Sequence, residues 1–283
     1  MSMELSRRDF VVTAAGLAAA AFVSPQDARA GEFTGKVKIA LKYNMVKIEG
    51  PVADQFRAIK EVGYDGIELG VGDKVDREEV LAASKATGLP IHGVVNGSVN
   101  NIGAAVDLAK FYGASSVLLV AGRVDAENYY AKNYETTQAI IREAIPYAKE
   151  QGILLLVENV WNNFLLTPLE LARYIDELES DQVAVYFDVG NVARFGWPEH
   201  WIPVLGSRIK KLDIKEYSRT RQMNEGPWKG FDVEIGDGEI DWVAVRKELA
   251  AIGYSGWATA EVNGGDKARL ADLALRMKRV LDV

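Results

Sequence analysis

The chain contains no cysteine, which excludes a disulfide framework, a thiol nucleophile and any thiolate-held metal. Histidine is almost as scarce: His92 and His200 are the only two, too few for a multi-histidine zinc cluster. Positive charge is in deficit, with 33 lysines and arginines against 40 aspartates and glutamates and a formal net charge of −7. No basic stripe relieves that balance, so neither nucleic acid nor anionic lipid is expected as a partner. Beyond residue 30 no apolar run is long enough to span a bilayer core of ~30 Å. No low-complexity linker divides the chain.

The beginning of the chain reads as an export signal. Ser6-Arg7-Arg8-Asp9-Phe10 opens an alanine-rich apolar run from Val11 to Val23, and Ala28-Arg29-Ala30 follows as a small-residue cleavage site. Paired arginines, a modest apolar stretch and A-x-A form a twin-arginine signal. An amphipathic first helix or a membrane anchor is the alternative, and the run is short and weakly apolar for an anchor. The expected division is a signal peptide over 1–30 and one domain over 31–283. That predicts a periplasmic or otherwise exported protein, free of the membrane once the signal is cleaved.

From Val37 onward short β-rich runs alternate with amphipathic segments. The strands are expected at Val37 to Leu41, Gly66 to Leu69, Pro90 to Val95, Ser115 to Val120, Ile153 to Glu158, Val183 to Asp188, Arg208 to Ile214 and Gly256 to Glu261. Helical patterns lie between them, and five end in a glycine that turns the chain back toward the sheet: Gly63, Gly88, Gly113, Gly152 and Gly253. Regular βα alternation means parallel strands with covering helices. An open doubly wound sheet would announce itself with a glycine-rich first βα turn, and the first turn here reads Lys42-Tyr43-Asn44-Met45. Eight units in ~250 residues favour an α/β fold of one closed (β/α)8 barrel.

In such a barrel the chemistry stands at the carboxyl ends of the strands. The last four strands each end in, or carry near their end, an acid: Glu158, Asp188, Asp213 and Glu261. Any one of these could be a helix N-cap, but four converging on one axis would repel one another unless a cation joined them. All-oxygen ligation favours a hard ion, Mn2+ or Mg2+, over Zn2+. Lys215 shares strand parity with Asp213 and could face the mouth. Glu68 and His92, on strands two and three, could hydrogen-bond a polar ligand, although a histidine satisfied by the core is the commoner case. The long connection from Glu216 to Ile240 carries Arg219, Arg221, Trp228 and Lys229, and connections of that length are often lids or binding loops.

Several phrases in order along the chain resemble the xylose isomerase-like TIM barrel superfamily, in particular the sugar phosphate isomerase/epimerase family. They are Gly63-Tyr64-Asp65-Gly66-Ile67-Glu68-Leu69, Phe187-Asp188-Val189-Gly190-Asn191, Ile235-Gly236-Asp237-Gly238-Glu239-Ile240-Asp241-Trp242 and Gly253-Tyr254-Ser255-Gly256-Trp257. The resemblance implies that Glu158, Asp188 and Glu261 are metal ligands. Asp213-Ile214-Lys215-Glu216 stands where the family usually has His-x-Lys-Asp, so Asp213 takes the place of a histidine ligand. Asn191 stands where epimerases often place a substrate-touching histidine.

What the resemblance implies is a divalent-metal-dependent sugar isomerase or epimerase. A metal-polarised keto-sugar would lose a proton to Glu158 or Glu261, and the opposite carboxylate would return it. The same enediolate chemistry in a lyase or hydrolase acting on 3-keto-glycosides is a second expectation, and a sugar-binding barrel without turnover is a third. The ligand is expected to be a small neutral sugar, with Asn191, Lys215, Glu68, His92 and Trp228 as candidate contacts. Homo-oligomers are common in the family, though no sequence stripe points to one here. The endonuclease relatives need several histidine ligands and a basic face, and this chain has neither.

Overall fold

The computed structural model describes residues 31–283, so the expected signal peptide lies outside the described residues. Eight parallel strands pair in sequence order and the last pairs with the first, closing the barrel. They are β1 (Val37–Lys42), β2 (Gly66–Gly70), β3 (Ile91–Val95), β4 (Ser116–Leu119), β5 (Leu154–Glu158), β6 (Val183–Asp188), β7 (Ile209–Ile214) and β8 (Gly256–Ala260). Each agrees with its expected span to within one residue at either end.

Ten α-helices are present among the described residues: α1 (Val52–Glu61), α2 (Arg77–Thr87), α3 (Ile102–Tyr112), α4 (Tyr130–Gln151), α5 (Pro168–Asp176), α6 (Val189–Ala193), α7 (Pro198–Leu205), α8 (Arg219–Glu225), α9 (Trp242–Ala251) and α10 (Lys267–Leu281). None is long and apolar enough to cross a membrane. Several starts are set by side-chain caps: Asp76, Thr167, Asp241 and Asp266 each accept a hydrogen bond from the backbone N–H three residues on. At the other end, Gly88 and Gly152 take left-handed φ values of 64° and 71°, a conformation that glycine adopts without a Cβ clash. All five glycines expected at helix ends have positive φ.

Strand alternation divides the side chains into two populations. Outward residues such as Ile39, Leu41, Ile67, Leu212 and Ala258 join the main core between sheet and helices. Inward, Leu118, Leu156, Ala184 and Tyr186 form a small separate cluster. Much of the rest of the inward population is polar: Lys42, Glu68, His92, Lys211, Asp213 and Thr259 are all buried. A barrel interior normally fills with branched apolar side chains, so this much buried charge marks where the fold departs from packing alone.

Candidate active site

The four strand-end carboxylates meet. Glu158, Asp188, Asp213 and Glu261 each offer one oxygen to a cluster whose ligand atoms all lie within 4.8 Å of one another. Asp188 is both the last residue of β6 and the cap of α6: its Oδ1 accepts from Asn191 N at 2.7 Å, leaving Oδ2 turned to the cluster. The capping and ligating readings of this residue are therefore compatible. Asn191 also donates from Nδ2 to Glu158 Oε1 at 3.4 Å and to Asn159 O at 3.0 Å, so it braces Glu158 from the side.

Two ammonium groups enter the same cluster. Lys42 Nζ, reaching in from β1, lies 2.8 Å from Asp213 Oδ2 and 3.3 Å from Glu261 Oε1. Lys215 Nζ sits 2.7 Å from both Asp188 Oδ2 and Glu261 Oε2. Gly190 makes room for it, because a Cβ there would collide with the Cβ of Lys215. With every group ionised, four carboxylates against two ammoniums leave an excess of two negative charges, the charge of one divalent cation.

Burial and mutual repulsion govern these groups. Burial, then the neighbouring Glu261, pushes Glu158 well above the usual carboxylate range. Burial likewise pushes Asp213 well up against the opposing pull of Lys42, and raises Asp188 despite Lys215. Glu261 goes the other way: burial disfavours its charge, but Lys215 and Lys42 together outweigh that and bring it to about 2. Asp213 Oδ1 is buried with no donor at all, an expensive state for a carboxylate oxygen. The residues fit a hard divalent cation on two grounds: the donor set is all oxygen, and an orphaned oxygen belongs to it.

Above the carboxylates opens a cavity of about 590 Å³, within the range of small-molecule sites. Lys42, Glu158, Asn191, Lys215 and Glu261 form its polar floor, and Trp161, Trp228 and Phe231 its aromatic part. Of the candidate contacts, Asn191, Lys215 and Trp228 reach the cavity. Glu68 and His92 do not. They sit one layer deeper in the closed interior, where Glu68 Oε2 accepts from Tyr186 at 3.2 Å and His92 stacks on Trp257 with ring centroids 4.4 Å apart. Neither lines the cavity, and each is engaged with other side chains of the interior.

The connection from Glu216 to Ile240 is more ordered than a bare loop, holding α8 and a 3-10 turn over Pro227–Phe231. Glu216 anchors it: its carboxylate accepts from Gly236 N at 2.7 Å, Trp242 Nε1 at 2.8 Å and Ile240 N at 3.2 Å. This wraps the Ile235-to-Trp242 phrase around one buried acid, with Gly238 required where a Cβ would come within 2.5 Å of Glu216 Cγ. Two of the basic residues of the connection are engaged elsewhere. Arg219 donates to Ala193 O at 2.9 Å and to Gly196 O, and Lys229 pairs with Asp232 at 2.7 Å.

Lys42, Trp161 and Phe231 are the site residues that sequence reasoning missed. A lysine at a strand end reads as solvated, and Ala40 and Lys42 on alternate positions were the one available hint that it points inward.

The profile of the xylose isomerase-like TIM barrel family matches residues 56–280. Among curated proteins, an inosose dehydratase of Lacticaseibacillus casei is 26% identical over 149 residues, covering 48% of this chain and 49% of its own. The chain spans about half the length of the curated relatives it matches. Solved structures of the same fold include the 3-keto-D-glucoside 4-epimerase of E. coli, with a TM-score of 0.69 and 18% identity over 87% of this chain and 99% of that one. A D-allulose 3-epimerase from Methylomonas, in complex with D-allulose, aligns with a TM-score of 0.69 and 17% identity over 86% and 96% of the two chains.

Proposed function

The chain belongs to the xylose isomerase-like TIM barrel family, and on that premise we propose that it is a divalent-metal-dependent isomerase or epimerase of a neutral keto-sugar. The observation that carries the reading is the convergence of four carboxylate oxygens within 4.8 Å at the base of an open cavity. Glu158, Asp188, Asp213 and Glu261 would hold the cation, Mn2+ or Mg2+. When bound, the cation supplies Lewis-acid polarisation of the sugar carbonyl, which acidifies the adjacent C–H.

The protein's own groups do the rest. Glu158 and Glu261 stand on β5 and beyond β8, on two sides of the cavity floor, so one is placed to remove a proton and the other to deliver one to the opposite face. Their environments push their proton affinities apart, Glu158 upward and Glu261 down to about 2, the pattern expected of a pair with different roles. Lys215, held 2.7 Å from Asp188 and Glu261, places positive charge where an enediolate oxygen would develop. Asn191 keeps Glu158 in position. Arg219 and Lys229 are engaged in their own contacts, which favours a neutral sugar over a phosphate.

Expulsion of a β-substituent begins with the same proton removal, and the dehydratase relative keeps a lyase as the second reading. Solvent exchange separates the two from a sugar binder. Candidate ketoses incubated in D2O should take up deuterium next to the carbonyl, and chelation should stop it. Uptake that is indifferent to chelators, or unchanged in Glu158→Gln and Glu261→Gln, would remove the proposal. Export by the twin-arginine route, inferred from Arg7-Arg8 and Ala28-Arg29-Ala30, belongs to the same reading, because that route carries folded proteins and the metal could be loaded first. Fractionation of cells expressing the parent and an Arg7→Lys/Arg8→Lys variant tests it. Equal amounts outside the cytoplasm would reject it.

A further inference from the structure

Three of the four mouth acids have one oxygen that the protein satisfies and one that it does not. Asp188 Oδ1 accepts from Asn191 N at 2.7 Å, Asp213 Oδ2 accepts from Lys42 Nζ at 2.8 Å, and Glu261 Oε1 pairs with Lys42 Nζ at 3.3 Å. The opposite oxygens, Asp188 Oδ2, Asp213 Oδ1 and Glu261 Oε2, are buried and accept no hydrogen bond. Three bare carboxylate oxygens on neighbouring strand ends are expensive to bury, and they are the donors that a hard cation takes.

The two ammonium groups stand differently toward this set. Lys42 bonds to the satisfied side of Asp213 and leaves Oδ1 of the same carboxylate free. Lys215 Nζ lies 2.7 Å from both Asp188 Oδ2 and Glu261 Oε2, yet neither oxygen accepts a hydrogen bond from it. Charge alone holds it there. The hydrogen bond that Lys215 does donate goes to Asn191 Oδ1 at 3.4 Å, and the Phe231 ring centroid is 5.8 Å from Nζ, within cation–π reach. Asn191 presents that oxygen because its Nδ2 is turned to Asn159 O at 3.0 Å and Glu158 Oε1 at 3.4 Å. A divalent cation drawing on Asp188 Oδ2 and Glu261 Oε2 would repel an ammonium resting on the same two atoms. It could draw on Asp213 Oδ1 while Lys42 stayed on Oδ2.

We propose that the cation is held through Asp188 Oδ2, Asp213 Oδ1 and Glu261 Oε2, with Glu158 as the fourth acid, and that Lys215 exchanges with it while Lys42 stays in place. This rests on the metal reading of the floor and deepens it, assigning the ligand atoms and giving the two lysines separate roles. On exchange the Lys215 ammonium moves off the carboxylates toward Asn191 Oδ1 and the face of Phe231. The root of its side chain is packed over Gly190, so the movement needs only rotation about the outer bonds. Its charge then faces the cavity that Lys215 already lines, so the order of assembly is cation first and sugar second. Lys42 is a fixed brace, and Lys215 is a positioning residue that follows the metal.

Crystal structures of the intact protein grown with and without Mn2+ read the exchange directly. With Mn2+ on the floor, Lys215 Nζ should lie beyond ion-pair distance, about 4 Å, from Asp188 Oδ2 and Glu261 Oε2, with Lys42 still bonded to Asp213 Oδ2. Mn2+ bound with Lys215 unmoved overturns the proposal, as does Mn2+ that releases Lys42 instead. Calorimetric titration with Mn2+ gives a second reading that is independent of turnover. Lys215→Met should bind Mn2+ at least about tenfold more tightly than the parent, and more tightly than Lys42→Met, whose loss uncovers no ligand atom. A gain in Lys215→Met no larger than that in Lys42→Met overturns the exchange. Should Lys215→Met fail to fold, the two structures of the parent decide the matter. If the parent takes up no Mn2+ in crystal or solution, the metal reading falls and the exchange with it; if Mn2+ binds beside an unmoved Lys215, the exchange falls alone.

Discussion

Two layers of polar side chains occupy the barrel interior, and they handle buried charge in opposite ways. The deeper layer closes on itself. Lys211 Nζ donates to His92 Nδ1 at 2.9 Å; His92 Nε2 meets Thr259 Oγ1 at 3.2 Å; Thr259 meets the Tyr186 hydroxyl at 2.8 Å; and Tyr186 donates to Glu68 at 3.2 Å. The bonds are mutually consistent if His92 is neutral with its proton on Nε2, so that a continuous chain of donors runs from an ammonium to a carboxylate. Burial and the adjacent Lys211 hold His92 well below its usual range, in keeping with that tautomer. The mouth layer uses the same residue types but holds four carboxylates to two ammoniums. It leaves Asp213 Oδ1 without a donor and opens to a cavity. The deeper network is hydrogen-bonded along its length, with Glu68 Oε1 the atom it leaves without a donor, and it is sealed from the cavity; the under-neutralised layer at the opening is the place for a ligand.

Substitutions that remove acids from the mouth should separate the layers most strongly. Glu158→Gln and Glu261→Gln are each expected to slow deuterium uptake by about 10² to 10⁴-fold, whereas Tyr186→Phe in the deeper layer should change it only a few-fold; comparable losses would merge the layers into one functional unit. Next in size is stability. Lys211→Met removes the ammonium that donates to His92 and helps Lys42 offset the Glu68 charge, and should cost ~3 kcal/mol in denaturant unfolding, with recovery in the Lys211→Met/Glu68→Leu double variant. Additive losses would show that the chain of bonds is not a unit.

A smaller effect concerns Lys42, which cancels the charge that Asp213 adds. Lys42→Met should tighten Mn2+ binding about tenfold and lower the melting temperature of the metal-free protein. Asp213→Asn should weaken binding, and the double variant should return toward the parent. Independent effects on metal affinity would mean that the 2.8 Å pair is structural only.

The smallest effect is in the pH dependence, where the layers should pull in opposite directions. His92 is depressed in the fold, so its contribution is fully present above its ordinary value of 6.5 and fades as pH falls below that toward the folded value. Glu158 and Asp213 are raised, so theirs is present below the ordinary carboxylate values of 4.5 and 3.8 and is lost as pH rises through the folded ones. The melting temperature gained on adding Mn2+ should therefore grow from pH 5.5 to 7.5, while His92→Asn should flatten the decline of the metal-free protein on acidification. A pH-independent gain would show that the mouth carboxylates do not bind protons and metal competitively.

The fold was legible because a barrel repeats one rule eight times. Each strand needed only a β-rich run with a helix and a capping residue behind it, and local chemistry provides those. Elements shaped by their surroundings were less legible. The five-residue α6 exists because Asp188 caps it and Lys215 packs over Gly190. The start of α4 at Tyr130 lies four residues before the helical pattern becomes clear at Tyr134, where the Tyr130 hydroxyl accepts from Leu165 N at 3.0 Å. Glu68 lies deeper than its place at a strand end suggests, and His92 is satisfied by the interior, the commoner case for a lone histidine. Register shifts in the β2–β3 pairing between Ile67 and Glu68, and on β6 between Val185 and Tyr186, alter how far each strand carries its residues toward the mouth, and no local pattern encodes that.

The amino-acid order alone determined the eight βα units and the four acids at consecutive strand ends, because hydrophobic period and capping chemistry act within a few residues along the chain. Only the closed barrel decided which charges meet. Lys42 reaches Asp213 across 171 positions of sequence, Trp161 meets Trp228 across two connections, and His92 is sealed beneath both. Charge compensation and stacking act through space over a few ångströms, and closure of the sheet is what converts distance along the chain into that proximity.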